Sequence, residues 1–310
     1  MRTQLIFLPD EINLHRIELL RKNQVKGLGI HPGGGADTCA ALEDMLQWLE
    51  KEETRKLLDH AAEAGMEIEY EIHAGGYLAP RSYFAEHPEY FREKDGRRVN
   101  DFNFCPSCEE MLEIVAQRAA DLVKKLYRST NWYYLWLDDV PDSRCTCPRC
   151  SAFSASDQNL LVMNRILKEL RKTDPQAQLA YLAYYETAIP PRKVQPEPGI
   201  FLEYAPIERY KDRAYGDFAG LEEPTEQLQA LWTVFDPKTS KILEYWYDNS
   251  LFSGWKKPPK RFVPDHEKIR KEIEWYRQLG CTYVSSFACY TGEDYIRQYG
   301  DPDFSALQGV

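Results

Sequence analysis

The chain has 310 residues, 43% hydrophobic and 28% charged, a composition that fits a packed globular protein and excludes disordered, collagen-like and coiled-coil classes. Lys plus Arg total 39 against 49 Asp plus Glu, a net charge of −10 without any basic run, which argues against a sequence-independent grip on nucleic acid or on an anionic membrane. The unusual component is aromatic, with 20 Tyr, 7 Trp and 13 Phe, and where those rings fall decides the reading.

The N-terminal apolar stretch is five residues at most, and no apolar run approaches the roughly 20 residues of a membrane span, so the sequence predicts a soluble, cytoplasmic protein without a membrane partner. In that compartment eight Cys read as thiols or metal ligands rather than disulfides. From the N-terminus onward, short apolar or β-branched runs alternate with segments of helical period. Strands are predicted at Gln4 to Leu8, Lys26 to Pro32, Met66 to His73, Trp132 to Asp139, Gln178 to Tyr185, Gly199 to Tyr204, Lys241 to Tyr247 and Thr282 to Phe287. Helices are predicted at Ile12 to Val25, Ala40 to Ala64, Met111 to Tyr127, Leu160 to Leu170, Glu222 to Val234 and His266 to Leu279. The Pro-rich crossover from Ala188 to Pro198 has no helical pattern.

Eight strands separated by helices predict an α/β fold, a single (β/α)8 TIM barrel spanning residues 1–310 with long loops after strands three and four. A dinucleotide-binding sheet would need a Gly-x-Gly-x-x-Gly turn after the first strand. Gly33-Gly34-Gly35 follows the second strand without that spacing and reads as a tight turn.

In such a barrel the site is built at the C-terminal ends of the strands and in the loops beyond them. Asp138 and Asp139 end the fourth strand, where alternation sends Tyr134, Trp136 and Asp138 inward and Leu135 and Leu137 toward the helices. Two close carboxylates beside Trp and Tyr cannot both stay ionised, and a protonated acid near an ionised one suits glycosidic cleavage. The bland alternative is an Asp pair that orders a strand-to-helix turn. Tyr70, Trp136, Tyr184, Tyr185, Tyr204, Tyr245, Trp246, Tyr247 and Tyr290 also lie near strand ends, and the flat faces of such rings suit the C–H face of a sugar, although alternation sends about half of them toward the helices. His31 and His73 allow a rival, a catalytic metal held with Asp138 or Asp139, but no His-x-His or His-x-x-x-His spacing supports it. No Gly-x-Ser-x-Gly element marks a serine nucleophile.

Cys105-Pro106-Ser107-Cys108 and Cys147-Pro148-Arg149-Cys150, with Cys145 just before the second, fall in the loops after strands three and four, which lie side by side. Two such knuckles can supply four thiolates to a structural Zn²⁺, with free thiols as the alternative. Spacing alone leaves five cysteines for four places. Cys39, Cys281 and Cys289 read as buried small residues.

His87-Pro88-Glu89-Tyr90-Phe91, Asp95-Gly96-Arg97-Arg98, Phe104-Cys105-Pro106-Ser107, Cys145-Thr146-Cys147-Pro148-Arg149-Cys150 and the stretch from Leu243 to Pro258 resemble an uncharacterised bacterial family of unknown function related to glycoside hydrolases, over residues 65–300. The resemblance implies a (β/α)8 barrel, and the family's pattern selects Cys105, Cys145, Cys147 and Cys150 as the zinc set, with Cys108 as substitute. The run Leu135-Trp136-Leu137-Asp138-Asp139-Val140 is similar to the adjacent-Asp motif of the O-GlcNAcase and hyaluronidase-like glycoside hydrolases. That similarity implies that Asp138 orients a substrate acetamido group and Asp139 protonates the leaving oxygen. Trp246 and Asp248-Asn249 are similar to a Trp-Asp-Asn segment of the same enzymes, with Tyr247 intervening.

The expected function is therefore a glycoside hydrolase, retaining and substrate-assisted, on a β-N-acetylhexosaminide or related sugar, with no cofactor for catalysis. Expected binding residues are His31, His73, Trp136, Glu186, Glu203, Tyr204, Glu244, Tyr245, Asp248 and Asn249. The alternatives are a barrel that binds saccharide without cleaving it, and a two-carboxylate glycosidase pairing Asp139 with Glu203 or Glu244.

Overall fold

A computed structural model describes residues 1–34, 37–210 and 219–310. Eight parallel strands close into a barrel: β1 (Arg2–Phe7), β2 (Gly27–Ile30), β3 (Glu67–His73), β4 (Trp132–Trp136), β5 (Gln178–Ala183), β6 (Ile200–Tyr204), β7 (Lys241–Glu244) and β8 (Tyr283–Phe287). Each strand pairs with its sequence neighbour, and β8 returns to β1 with Arg2 opposite Tyr283. This is the predicted (β/α)8 architecture. The strands are short and apolar on their outer faces because helices cover them, so only the inward positions vary in polarity.

The covering helices carry the expected stripes. The helix Ala155–Leu170 buries Leu160, Val162, Met163, Ile166, Leu167 and Leu170, and starts in a capping box between Ser154 and Asp157. Asp157 also accepts from the amides of Arg192, Lys193 and Val194 at 2.8–3.1 Å, which ties down the helix-free crossover between β5 and β6. The predicted helix over residues 40–64 is two helices, Thr38–Glu50 and Glu52–Glu63, broken at Lys51, whose ψ of 138° is extended. Of the Gly33-Gly34-Gly35 turn, Gly35 lies outside the described residues.

The loop from β3 to the helix Glu109–Val123 is long and has its own ribbon, Glu93–Lys94 paired antiparallel with Arg97–Arg98. Asp95 and Gly96 join its strands with φ of 50° and 73°, the left-handed pair of a tight hairpin turn. No described helix is long and apolar enough to cross a membrane.

Candidate functional site

Inward positions stack in layers along the barrel axis. In the lowest, Glu69 accepts from Arg2 (2.5 Å), Gln4 (3.1 Å), Thr130 (2.9 Å), Tyr134 (2.9 Å) and Tyr283 (2.7 Å). Above it Lys241 pairs with Glu71 and, at 3.1 Å, with Glu203, while the Trp136 indole donates to Glu203 at 2.7 Å. Strand register produces this contact, since Lys241 on β7 stands opposite Glu203 on β6. All three charged side chains are fully buried. Burial opposes the Lys241 charge, but Glu71, Glu203 and Glu69 outweigh it and push its pKa up. Burial, then the adjacent Glu203, pushes Glu71 well above the usual carboxylate range.

Above this floor a cavity of about 690 Å³ opens at the C-terminal ends of the strands. Trp136, Leu182, Leu243, Tyr245 and Phe287 line its lower part, His31, His73, Tyr184, Asp139 and Asp248 its wall, and Tyr290 and Trp255 its rim. Tyr290 and Trp255 have φ of 62° and 54°, a region costly for aromatic residues. The surroundings enforce it: Asn249 donates to the Tyr290 carbonyl at 3.1 Å and the Trp255 amide donates to Ser250 O at 2.8 Å.

Among the described residues, Asp139 and Asp248 are the two carboxylates that line this cavity. Burial raises the Asp139 pKa, His73 (Nδ1 to Oδ1 3.9 Å) pulls it down, and the neighbouring Asp138 charge adds to the rise. Burial raises Asp248 to about 6, opposed by the Ser250 hydroxyl and the Ser250 and Leu251 amides. Those three donors all bond Asp248 Oδ1, at 2.6, 3.0 and 3.4 Å, so Oδ2 is left free of them. Burial, with His73 next, pushes His31 down to about 3. His31 is therefore neutral, and because its Nδ1 meets a carbonyl acceptor, Glu71 O at 2.7 Å, Nδ1 carries the proton and Nε2 is an acceptor. Burial also raises the phenols of Tyr184 and Tyr245, with Asp139 contributing to both, so they remain donors.

The two adjacent aspartates part company. The fourth strand ends at Trp136, three residues earlier than its sequence pattern indicates, so alternation no longer aims Asp138 inward. The Asn103 side chain takes over as a surrogate strand partner, accepting from the Asp138 amide at 2.9 Å and donating to its carbonyl at 2.9 Å. Asp138 Oδ2 accepts from Arg81 and from the Asn103 amide, both at 2.7 Å. Gly75 makes room for this clamp, since a Cβ there would sit 2.8 Å from the Asp138 nitrogen. Asp138 thus faces a second cavity of about 470 Å³, whereas Asp139 lines both.

Of the residues singled out in the sequence, His31, His73, Trp136, Asp139, Tyr245 and Asp248 meet at the central cavity. Glu203 lies beneath it, committed to Lys241 and Trp136. Glu244 points outward into a buried cluster with Arg209, Tyr210 and Tyr276, because it sits one residue out of phase with Lys241 and Leu243. Tyr204 likewise points outward, to Gln227 at 2.8 Å. Glu186 is exposed and accepts from the Asp142 amide at 3.1 Å. Asn249 is fully buried and spends its amide on Lys260 O, Tyr290 O and Ser253. Trp255, Arg81 and Asn103 were not singled out. A Gly-Trp pair with an exposed ring was the one available signal, whereas nothing local marks Arg81 or Asn103 as partners of a residue 35 or more positions away.

The second cluster lies beside the site. Sγ atoms of Cys105, Cys145, Cys147 and Cys150 are all within 4.8 Å of one another and buried. Cys105 Sγ is 3.7 Å from both Cys147 Sγ and Cys150 Sγ, far beyond a disulfide bond and near the roughly 3.8 Å edge of a tetrahedron with 2.3 Å metal–sulfur bonds. The hairpin ribbon supports the set, its Glu93 amide donating to Cys145 Sγ at 3.3 Å and Arg98 lying 4.0 Å from the same sulfur. Cys108 faces Glu110 instead, at 3.4 Å. The four buried cysteines are therefore arranged as a metal site.

The model of the domain of unknown function DUF4838 matches residues 42–300. The chain belongs to the DUF4838 family. No curated protein matches it in sequence. Among solved structures, the DUF4838 chain is similar to an O-GlcNAc hydrolase of Thermobaculum terrenum (TM-score 0.55, 11% identity, 99% of this chain and 58% of that one). It is also similar to a Bacteroidetes-affiliated GH5 cellulase (TM-score 0.55, 11% identity, 93% and 81%) and to a β-galactosidase of Marinomonas ef1 (TM-score 0.54, 10% identity, 92% and 54%). At these identities the likeness establishes the barrel fold, and the chain spans little more than half the length of the β-galactosidase and the O-GlcNAc hydrolase.

Proposed function

We propose that the protein is a glycoside hydrolase acting on a β-linked pyranoside, with Asp139 as the proton donor and Asp248 as the second carboxylate. One observation carries the reading: the aromatic-walled cavity at the barrel mouth is lined by two acids, on the loops after β4 and β7, and burial raises the pKa of both. A raised acid can hold the proton that the glycosidic oxygen needs, and a second carboxylate can attack the anomeric carbon or activate water there. His31 Nε2 and the Tyr184 and Tyr245 phenols supply an acceptor and two donors for sugar hydroxyls. Solved glycoside hydrolases that share the fold support the class.

The acetamido-assisted route keeps Asp139 as donor and gives Asp138 the acetamido group. Both that group's partners and its position weigh against it, since Asp138 Oδ2 is occupied by Arg81 and Asn103 on the outer side of the strand end. Hydrolysis of lactose, cellobiose and N,N′-diacetylchitobiose, with the matching glycosyl fluorides, separates the routes. Asp139→Asn is expected to lower kcat/KM on disaccharides about 10²–10⁴-fold and to spare the fluorides, whose leaving group needs no proton. Asp248→Asn is expected to abolish turnover of 2-hydroxy and 2-acetamido sugars alike. Wild-type rates in Asp139→Asn would end the assignment. Turnover restricted to the 2-acetamido sugar, and retained in Asp248→Asn, would replace Asp248 with the substrate's own acetamido group.

We further infer that the cysteine set holds a structural Zn²⁺. Four thiolates at tetrahedral spacing leave no open position for substrate, which is the pattern of a structural rather than catalytic site. The ion would fasten the loop after β3 to the loop after β4.

A further inference from the structure

We propose that the cavity on the outer side of Asp139 is a binding subsite for a leaving sugar, and that Phe102 is its stacking platform. The proposal rests on the glycosidase reading and extends it to the substrate: at least a disaccharide, with a neutral pyranose on the leaving side.

The glycosidic oxygen is bonded to both halves of the substrate, so the group that protonates it must stand where the two halves meet. Asp139 does so, because it lines both the 690 Å³ central cavity and the 470 Å³ outer one, and among the described residues only His73 shares that position. Each cavity falls within the 300–1,000 Å³ range of small-ligand sites. The central cavity is the deeper and more aromatic. Phe102 is the one aromatic ring lining the outer cavity among the described residues, and it is 41% exposed.

A lone exposed Phe is ordinary on a protein surface. This one is held in place from both sides. Before it, Asp101 accepts from the buried Arg92 through both carboxylate oxygens, at 2.8 and 2.5 Å, and Arg92 also donates to Asp142 O at 2.7 Å. After it, Asn103 is locked to Asp138 by the paired amide bonds described above. The backbone of Phe102 is thereby fixed relative to Asp139 while its ring stays in water. A fixed aromatic face binds a flat C–H surface without an ordering cost. The charges agree with a neutral ligand. Arg92 neutralises Asp101 and Arg81 neutralises Asp138, which leaves Asp37, whose Oδ1 caps the helix from Thr38 by accepting from the Ala40 amide, as a carboxylate that accepts hydroxyls and repels uronic acids.

The test is made in the Asp139→Asn background by calorimetry, with N-acetylglucosamine, glucose, N,N′-diacetylchitobiose and cellobiose as probes, and in the wild type by kinetics. A disaccharide is expected to bind about tenfold more tightly than its monosaccharide, and Phe102→Ala is expected to erase that gain while Phe102→Tyr keeps it. In turnover, Phe102→Ala is expected to cost about tenfold more on the disaccharide than on the glycosyl fluoride, which has nothing to place in the outer cavity. An undiminished disaccharide gain in Phe102→Ala, or an equal loss on both substrates, would overturn the subsite even if hydrolysis is confirmed. Disaccharide binding that depends on Phe102 without any turnover would uphold the subsite and remove the glycosidase reading. No binding of any probe would overturn the subsite.

Discussion

The barrel interior holds carboxylates at two levels, and they have opposite fates. In the lower level Glu69, Glu71 and Glu203 are fully buried and meet Arg2 and Lys241. At the mouth Asp248 is buried and Asp139 half-buried, and among the described residues they meet no Lys or Arg, only His73 at 3.9 Å and a set of helix-capping donors. A buried acid with a cation across the barrel is a structural group whose removal leaves an uncompensated charge. An acid without one, as at the mouth, keeps an unused lone pair facing the cavity, which is what proton transfer needs, and a raised pKa alone does not set the two levels apart, since burial and Glu203 raise Glu71 as well. Identity and burial of a carboxylate thus say little about its role until the opposing strand is known.

The largest test of this contrast is Lys241→Met. It strands Glu71 and Glu203 together in a layer closed to solvent, and stability measured by denaturant titration is expected to fall by about 3–5 kcal/mol. Asp139→Asn, at the other level, is expected to leave stability unchanged or slightly higher, because it removes an ionisable group that has no Lys or Arg partner among the described residues. A loss below about 1 kcal/mol for Lys241→Met, within the range of an ordinary surface change, would show that the lower layer is not held by its charges.

A smaller effect is expected from the loops that flank the mouth. Cys147→Ser should lower the bound zinc, read by native mass spectrometry, and cost about 2–3 kcal/mol in stability through loss of the metal. Cys108→Ser should change neither, since Cys108 faces Glu110. Full zinc content in Cys147→Ser, or a wild type that melts at the same temperature after chelation, would return these cysteines to the status of free thiols.

All eight strands and the barrel were legible in the sequence, because outer faces covered by helices need uninterrupted apolar positions. The errors at strand ends share one cause. The pattern extends β4 to Asp139, β5 to Tyr185 and β7 to Tyr247, whereas the strands stop at Trp136, Ala183 and Glu244. Most of the extra residues are aromatic or apolar, Tyr184 and Tyr245 lining the cavity and Trp246 and Tyr247 buried in the core, and so they imitate strand. The early end of β4 releases Asp138 from the alternation, whereas Tyr204 and Glu244 stay in strand and face outward by phase, one residue after Glu203 and Leu243. Spacing narrowed the cysteine set to five candidates, and the family resemblance selected the four that the structure brings together. The commitments of Glu203 and Glu244 were not, because Lys241 and Arg209 lie more than 30 residues away in the chain.

The smallest expected effect asks what Asp138 does if it does not bind substrate. Asp139 must be protonated and Asp248 ionised, so kcat/KM should be bounded by two pH limbs, one near 6 where Asp248 titrates and one where Asp139 titrates, raised above the ordinary carboxylate value by burial. The Asp138 charge raises the Asp139 pKa, and Arg81, 2.7 Å from Asp138 Oδ2, offsets that influence. Arg81→Met removes the offset, so the Asp139 limb should move to higher pH. Asp138→Asn removes the like charge itself, so that limb should move to lower pH, while the Asp248 limb near 6 stays in both variants. Opposite displacements on one limb are the signature of a charge acting through Asp139, and a group that bound the sugar would instead change the maximal rate without regard to sign. If Asp138→Asn cuts the rate only on 2-acetamido sugars and leaves the limb where it was, Asp138 contacts substrate and the clamp by Arg81 and Asn103 opens during turnover.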